Sequence, residues 1–209
     1  MGVLRRQFFD REHFTTMKTS CRPYSSLRCE AMEQAFSLLD EVKSPFLCEV
    51  GRTREVDSWE SDGWSTIHFA TYATKHKGLL VSIDADPVTK PVCQVILHEL
   101  GMDNPSVLYF NVQRDKFVAP QMKGVHLLLL DAVDCLNGSE EFSATWHLSC
   151  LKFLEPCIAP GGLLMVDDCF SGEFDKVRGK GKYVIPYAVN ELRYKPVVRS
   201  YAWLLRKPV

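Results

Sequence analysis

The sequence predicts a doubly wound α/β domain, a mostly parallel sheet flanked by helices, and three observations predict it. Short apolar runs alternate with helix-periodic segments from residue 46 onwards. The runs Leu79–Ile83 (LLVSI), Val125–Leu130 (VHLLLL) and Leu163–Val166 (LLMV) are apolar nearly throughout rather than at every second position. Strands buried on both faces of a parallel sheet read this way. Finally, the strand-like runs end on glycine or acid: Glu49 and Gly51, Asp84, Asp131, Asp167-Asp168. With 209 residues the chain suits one domain with a sizeable core.

Residues 1–27 mix polar and aromatic side chains, with turn signals at Arg22-Pro23 and Ser25-Ser26. They are expected to form an arm or lid ahead of a domain spanning 28–209. Residues 28–43 (RCEAMEQAFSLLDEVK) place Met32, Phe36, Leu39 and Val42 at helical spacing, and Ser44-Pro45 stops that helix. The first strand, Phe46–Val50, runs into CEVGRTREVDSWESDGWST, where Gly51 and Gly63 lie 63 − 51 = 12 positions apart. A helix follows from Trp64 to about Lys77. Asp86-Pro87 opens another to about Leu100, capped by Gly101. Val107–Phe110 reads as the third strand and Glu140–Glu155 as a helix, with a turn at Pro160-Gly161-Gly162. Lys182–Leu192 reads as the last helix, and Pro196–Leu205 supplies one or two closing strands.

Charge and composition narrow the function classes. A formal charge of −1 gives no electrostatic footprint for a nucleic-acid partner. Eight cysteines occur without a CxxC pair, which fits buried thiols in a reducing compartment better than a zinc site or a disulfide scaffold. The amino-terminal MGVLRRQFFDREHF breaks every apolar stretch with charge, so neither a signal peptide nor a membrane span is expected. A cytoplasmic protein with a small-molecule substrate is the expectation, with the arm available for contacts in a homo-oligomer.

The strand ends carry the functional signal, because open parallel sheets bind ligands outside the carboxyl ends of their strands. Asp131 and Asp167-Asp168 would repel one another unless something positive lay between them. A divalent cation such as Mg2+, with carboxylate oxygens as ligands, would serve and could activate a substrate hydroxyl. Asp84 ends the second strand, where a carboxylate can accept hydrogen bonds from a ribose. A nicotinamide fingerprint needs GxGxxG opening directly into a helix, and that triplet is absent. Glu55, Asp57, Glu60 and Asp62 also make the loop hostile to a pyrophosphate and tolerant of a cationic ligand. Asp86, just before Pro87, reads as a plain helix cap.

Taken in order, FLCEVG…DGWST, LLVSIDADP, VHLLLLDAVD and LEPCIAPGGLLMVDD resemble the class I S-adenosylmethionine-dependent methyltransferases, which have a Rossmann-like fold. The closer resemblance is to metal-dependent small-molecule O-methyltransferases of the catechol and macrolide-sugar types. The resemblance implies that Glu49, Gly51, Gly63, Trp64 and Ser65 shape the site of the methionine part of S-adenosylmethionine. It implies that Asp84 holds the ribose, Gln113 or Arg114 lies near the adenine, and Asp131 borders the cofactor. It also implies a metal held by Asp131, Asp167 and Asp168.

Two departures stand out. Arg52 to Asp62 must bulge from the glycine turn, as a substrate wall or a contact between subunits. The lysine base of the catechol-type enzymes, expected shortly after the fourth-strand aspartate, is replaced by Asp134. The base is then His147, Asp134 or Lys180. His147, on a helix with Leu148, Leu151 and Leu154, is equally an ordinary helix-face histidine. SGEFDKVRGKGKY, residues 171–183, is glycine-rich and basic and reads either as a solvated loop or as a flexible lid meeting an anionic group. A non-catalytic cofactor-binding or assembly protein and a nicotinamide-dependent oxidoreductase are the alternatives to a methyltransferase.

Overall fold

A computed structural model of the chain describes residues 23–54, 65–86, 88–99, 107–111, 122–135 and 138–209. Most of the expected arm, the insertion from residue 55, Gly63, Trp64, Gln113 and Arg114 lie outside the described residues. Among the described residues seven strands form one sheet: β1 Phe46–Val50, β2 Leu79–Asp84, β3 Val107–Asn111, β4 Val125–Leu130, β5 Ile158–Val166, β6 Lys195–Val198 and β7 Trp203–Arg206. Their order is β3-β2-β1-β4-β5-β7-β6. Strands β1 to β5 run parallel, and β7 is antiparallel to both β5 and β6. The order therefore reverses at β1, whose neighbours are β2 and β4. The crevice above that pair is where such sheets take ligands.

The helices are α1 Pro23–Leu39, α2 Ser65–Lys75, α3 Thr89–Glu99, α4 Glu140–Leu154 and α5 Gly181–Pro186. Two apolar layers explain why β4 is a leucine run. Leu127 and Leu129 face a core with Met32, Ile67, Phe69 and Leu97 of α1 to α3. Leu128 and Leu130 face the opposite core, with Leu151 and Leu154 of α4 and Val184 and Ile185 of α5. Both faces of the central strand are dry, so alternation disappears from its sequence.

The structure differs from the sequence expectation in three places. Helix α1 starts at Pro23, so the 27/28 boundary falls inside a helix. Proline suits the first helical turn, where its missing N–H would have had no intrahelical partner. Pro160-Gly161-Gly162 lies within β5 rather than in a turn. The register against β4 shifts between Val125 and Leu127, and Gly161 N–H bonds Pro208 O at 3.2 Å. The last helix is short and ends in a π-helical turn, Tyr187–Glu191. Pro186 has no N–H to give there, and the ladder widens so that Leu192 N–H meets Tyr187 O at 3.2 Å.

Candidate active site at the carboxyl ends of the strands

At the switch point the loops after β1 and β4 touch through their backbones. Asp131 N–H bonds Val50 O at 2.8 Å, and Gly51 N–H bonds Ile83 O at 2.9 Å. Gly51 has φ +103°, and a Cβ on it would collide with the backbone of Asp131 and Ala132. Only glycine fits a position that is both left-handed and this crowded.

Below this crossing lies a buried polar network. Glu49 is 0% exposed and accepts hydrogen bonds from Ser82 Oγ at 2.6 Å and Ser65 Oγ at 3.1 Å. Arg52, which the sequence did not single out, donates from Nε to Ser82 Oγ, from Nη2 to Ser82 O and from Nη1 to Thr89 Oγ1. Its own N–H bonds Asp84 Oδ2 at 2.9 Å, and Asp86 N–H bonds Asp84 Oδ1 at 2.8 Å. Burial pushes the Glu49 carboxyl up to about 7, with Ser82, Thr66, Arg52 and Ser65 pulling the other way. Glu49 and Ser65 thus face each other beneath the loop. Asp84 is oriented by two backbone donors, and each of its oxygens keeps a further lone pair for a ligand hydroxyl. Asp86 caps as expected, accepting from Val88 N–H at 2.8 Å.

On the other side of the crevice Asp131, Asp167 and Asp168 converge, with one ligand atom of each within 4.8 Å of the others. Two side chains from distant parts of the sequence meet them. Lys180 Nζ bonds Asp131 Oδ1 and lies 2.7 Å from Asp168 Oδ2. Arg28 Nη2 lies 2.5 Å from Asp167 Oδ2 and 3.6 Å from Asp168 Oδ1. Tyr201 OH donates to Asp168 Oδ1, and the Arg28 guanidinium sits 5.9 Å from the Tyr201 ring centroid. Lys180 is 1% exposed; its carboxylate neighbours raise its pKa despite burial, so it stays an ammonium. Asp167 is pushed up by burial against the pull of Arg28. Its Oδ1 has no donor among the described residues.

Magnesium is the occupant that the sequence leads one to expect, and here the three carboxylates that would hold it are paired with Lys180 and Arg28. Opposing unit charges 4 Å apart near a protein surface interact by about 4 kcal/mol, and like charges repel by as much. An added divalent ion would meet Lys180 and Arg28 at such range with two charges of its own. The cationic position between the strand ends is already filled from within the chain.

The three candidate bases occupy different situations. His147 is buried on α4 and has both ring nitrogens engaged: Nε2 accepts from Ala132 N–H at 3.1 Å, and Nδ1 lies 2.7 Å from Ser143 O. A backbone donor on one nitrogen and a carbonyl on the other require the neutral Nδ1–H tautomer. Burial, reinforced by Lys180, lowers its pKa to about 4. Asp134 points to the surface and forms a two-pronged pair with Arg54 at 3.0 and 3.1 Å, which lowers its pKa. Lys180 alone of the three touches the strand-end carboxylates.

The 171–183 segment is packed rather than loose. Its glycines permit close approach: a Cβ on Gly179 would collide with Asp168 O and Phe170, and one on Gly181 with Cys169 Sγ. Glu140 at the start of α4 accepts from Gly179 N–H and Arg178 Nη2, both at 3.1 Å. Lys180 N–H bonds Asp168 O at 3.2 Å. Asp168 itself has φ +48°, a left-handed conformation costing on the order of 1 kcal/mol and held by Lys180 and Tyr201. Of this basic segment Lys180 meets the acidic cluster, whereas Arg178 pairs with Glu140, Lys182 with Glu141 and Lys176 with Glu173.

Several solved structures share this architecture over nearly the whole chain. One is an O-methyltransferase from Bacillus cereus in complex with SAH, 11% identical, with a TM-score of 0.53 over 92% of this chain and 96% of that one. Cofactor-bound Rv0187 from MTB is 15% identical, with a TM-score of 0.55 over 96% and 98%. A methyltransferase from Thiobacillus denitrificans in complex with S-adenosyl-L-homocysteine is 14% identical, with a TM-score of 0.51 over 91% and 73%. This is the fold of S-adenosylmethionine-dependent methyltransferases. The likeness is one of fold, since no protein-family model and no curated protein matches the sequence. Within this methyltransferase fold the β1/β4 crevice described above is the ligand position that topology alone selects. No helix among the described residues is long and apolar enough to cross a membrane.

Proposed function

We propose that the chain is an S-adenosylmethionine-dependent methyltransferase acting on a hydroxyl of a small molecule. The observation that carries this reading is the acidic edge of the switch-point crevice. Asp84 stands on one side of the Gly51 turn and Asp131 on the other, each presented by hydrogen-bonded backbone. A carboxylate at the end of β2 suits ribose hydroxyls, and carboxylates around the crossing suit a sulfonium rather than a phosphate.

In the reaction the acceptor oxygen attacks the sulfonium methyl carbon, the carbon–sulfur bond breaks, and its electron pair returns to sulfur. The positive charge disappears from the cofactor, and the hydroxyl proton must go to a base. In this reading the strand-end carboxylates receive it, with Asp131 next to the cofactor crossing. Lys180, bridging Asp131 and Asp168, fixes their orientation and needs no change of protonation. His147 serves the reaction indirectly by holding the Asp131–Ala132 turn. Most of the acceleration comes from bringing the acceptor oxygen in line with the methyl group.

Transfer of a labelled methyl group from S-adenosylmethionine to a panel of catechols and sugars tests the reading, alongside titration with NADH. Methylated product and no NADH binding are expected. Asp84→Ala should weaken the cofactor by about 10- to 100-fold, the range for a hydrogen bond to a charged group. NADH binding without S-adenosylmethionine binding would overturn the proposal. Cofactor binding without transfer to any acceptor would favour a binding or assembly role.

A further inference from the structure

We infer that the ammonium of Lys180, seconded by the guanidinium of Arg28, is the resident cation of the Asp131–Asp167–Asp168 cluster and closes it to divalent metal. The inference rests on geometry at the cluster and stands whether or not the chain transfers methyl groups. Lys180 contacts two of the three carboxylates and Arg28 contacts the third. Two positive charges offset the three carboxyl groups, so the cluster keeps at most a single net negative charge, too little to draw a strongly hydrated dication out of water.

The ammonium is part of the architecture rather than a swinging side chain. Lys180 is flanked by Gly179 and Gly181, each packed so closely on the 168–170 turn that a Cβ would collide with it. Its N–H bonds Asp168 O, and Glu140 grips the preceding residue through Gly179 N–H. Arg28 arrives independently on α1, and its contact with Asp167 ties that helix to the end of β5. A metal ion would have to displace a backbone-anchored, 1% exposed lysine. Removing that lysine leaves three converging carboxylates with ligand atoms already within 4.8 Å of one another, the donor set that a hard cation takes.

The test is Mn2+ titration followed by electron paramagnetic resonance, on the wild-type chain and on Lys180→Met. The wild type should leave Mn2+ in its aqueous signal up to millimolar metal. Lys180→Met should bind one ion at least 10-fold more tightly than the wild type and melt at a higher temperature with Mn2+ than with EDTA. Asp131→Asn added to that variant should abolish the gain. Where Lys180→Met fails to fold in EDTA, refolding in Mn2+ should restore it. Stoichiometric micromolar Mn2+ binding by the wild type would overturn the inference. So would a Lys180→Met variant that neither binds the ion nor is rescued by it.

Discussion

Two buried acidic regions flank the same crevice, and they neutralise their charge differently. Under β1 and β2 a single carboxyl, Glu49, is satisfied by two hydroxyls, and Arg52 reaches it through Ser82. Under β4 and β5 three carboxylates are met directly by Lys180 and Arg28, and Asp167 Oδ1 has no donor among the described residues. The first region has the character of a scaffold, with each polar group of Glu49 and Arg52 engaged beneath the loop. The second retains acceptor capacity that no described residue takes up. Buried polar groups left partly satisfied are costly, so they persist where something other than stability requires them.

Substitutions can break or sharpen this contrast. The largest effect is expected from Gly51→Ala, which joins the two regions at their backbone crossing. A side chain there meets Asp131 at a left-handed φ, and a loss of about 3 kcal/mol or more in denaturant melts is expected, with loss of cofactor binding. His147→Ala should cost about 1–3 kcal/mol by removing the acceptor of Ala132 N–H. A loss of activity in that variant with full stability would instead mark His147 as the base.

Glu49→Gln tests the scaffold side through pH. The folded carboxyl at about 7 holds a proton that the unfolded chain, at its ordinary 4.5, has released. The native state thus binds more protons between those values, and Glu49 makes stability fall as pH rises through that window. The slope is at most about 1.4 kcal/mol per pH unit. Glu49→Gln should remove that component, and an unchanged stability profile would show that Glu49 titrates normally. The smallest effect belongs to Asp134→Ala. The pair with Arg54 is roughly half exposed on both sides, so a change below about 1 kcal/mol and unaltered methyl transfer are expected.

The strand framework was legible because burial on both faces writes itself as VHLLLL and LLMV, and because acids at strand ends interrupt those runs. The acidic cluster was legible for the same reason. Its cations were not, since Lys180 and Arg28 lie 180 − 28 = 152 positions apart and neither is near Asp131 in sequence. A signal existed for each. Arg28 shares a helical face with Ala31, Met32 and Ala35, an apolar stripe where a solvated arginine is out of place. Lys180 stands between two glycines, and glycines mark close backbone approach as readily as looseness. The GKG segment reads as a lid only when the second meaning is assumed. Arg52 was hidden in another way: it follows a loop glycine, and nothing local shows that its side chain turns down toward Ser82.

The most direct measurement is calorimetric titration with S-adenosylhomocysteine in EDTA and again in millimolar Mg2+. A sulfonium-cofactor site whose acidic cluster carries its own cations predicts binding in EDTA and the same affinity with metal present. Binding that appears only with Mg2+, or no binding in either buffer, would contradict it.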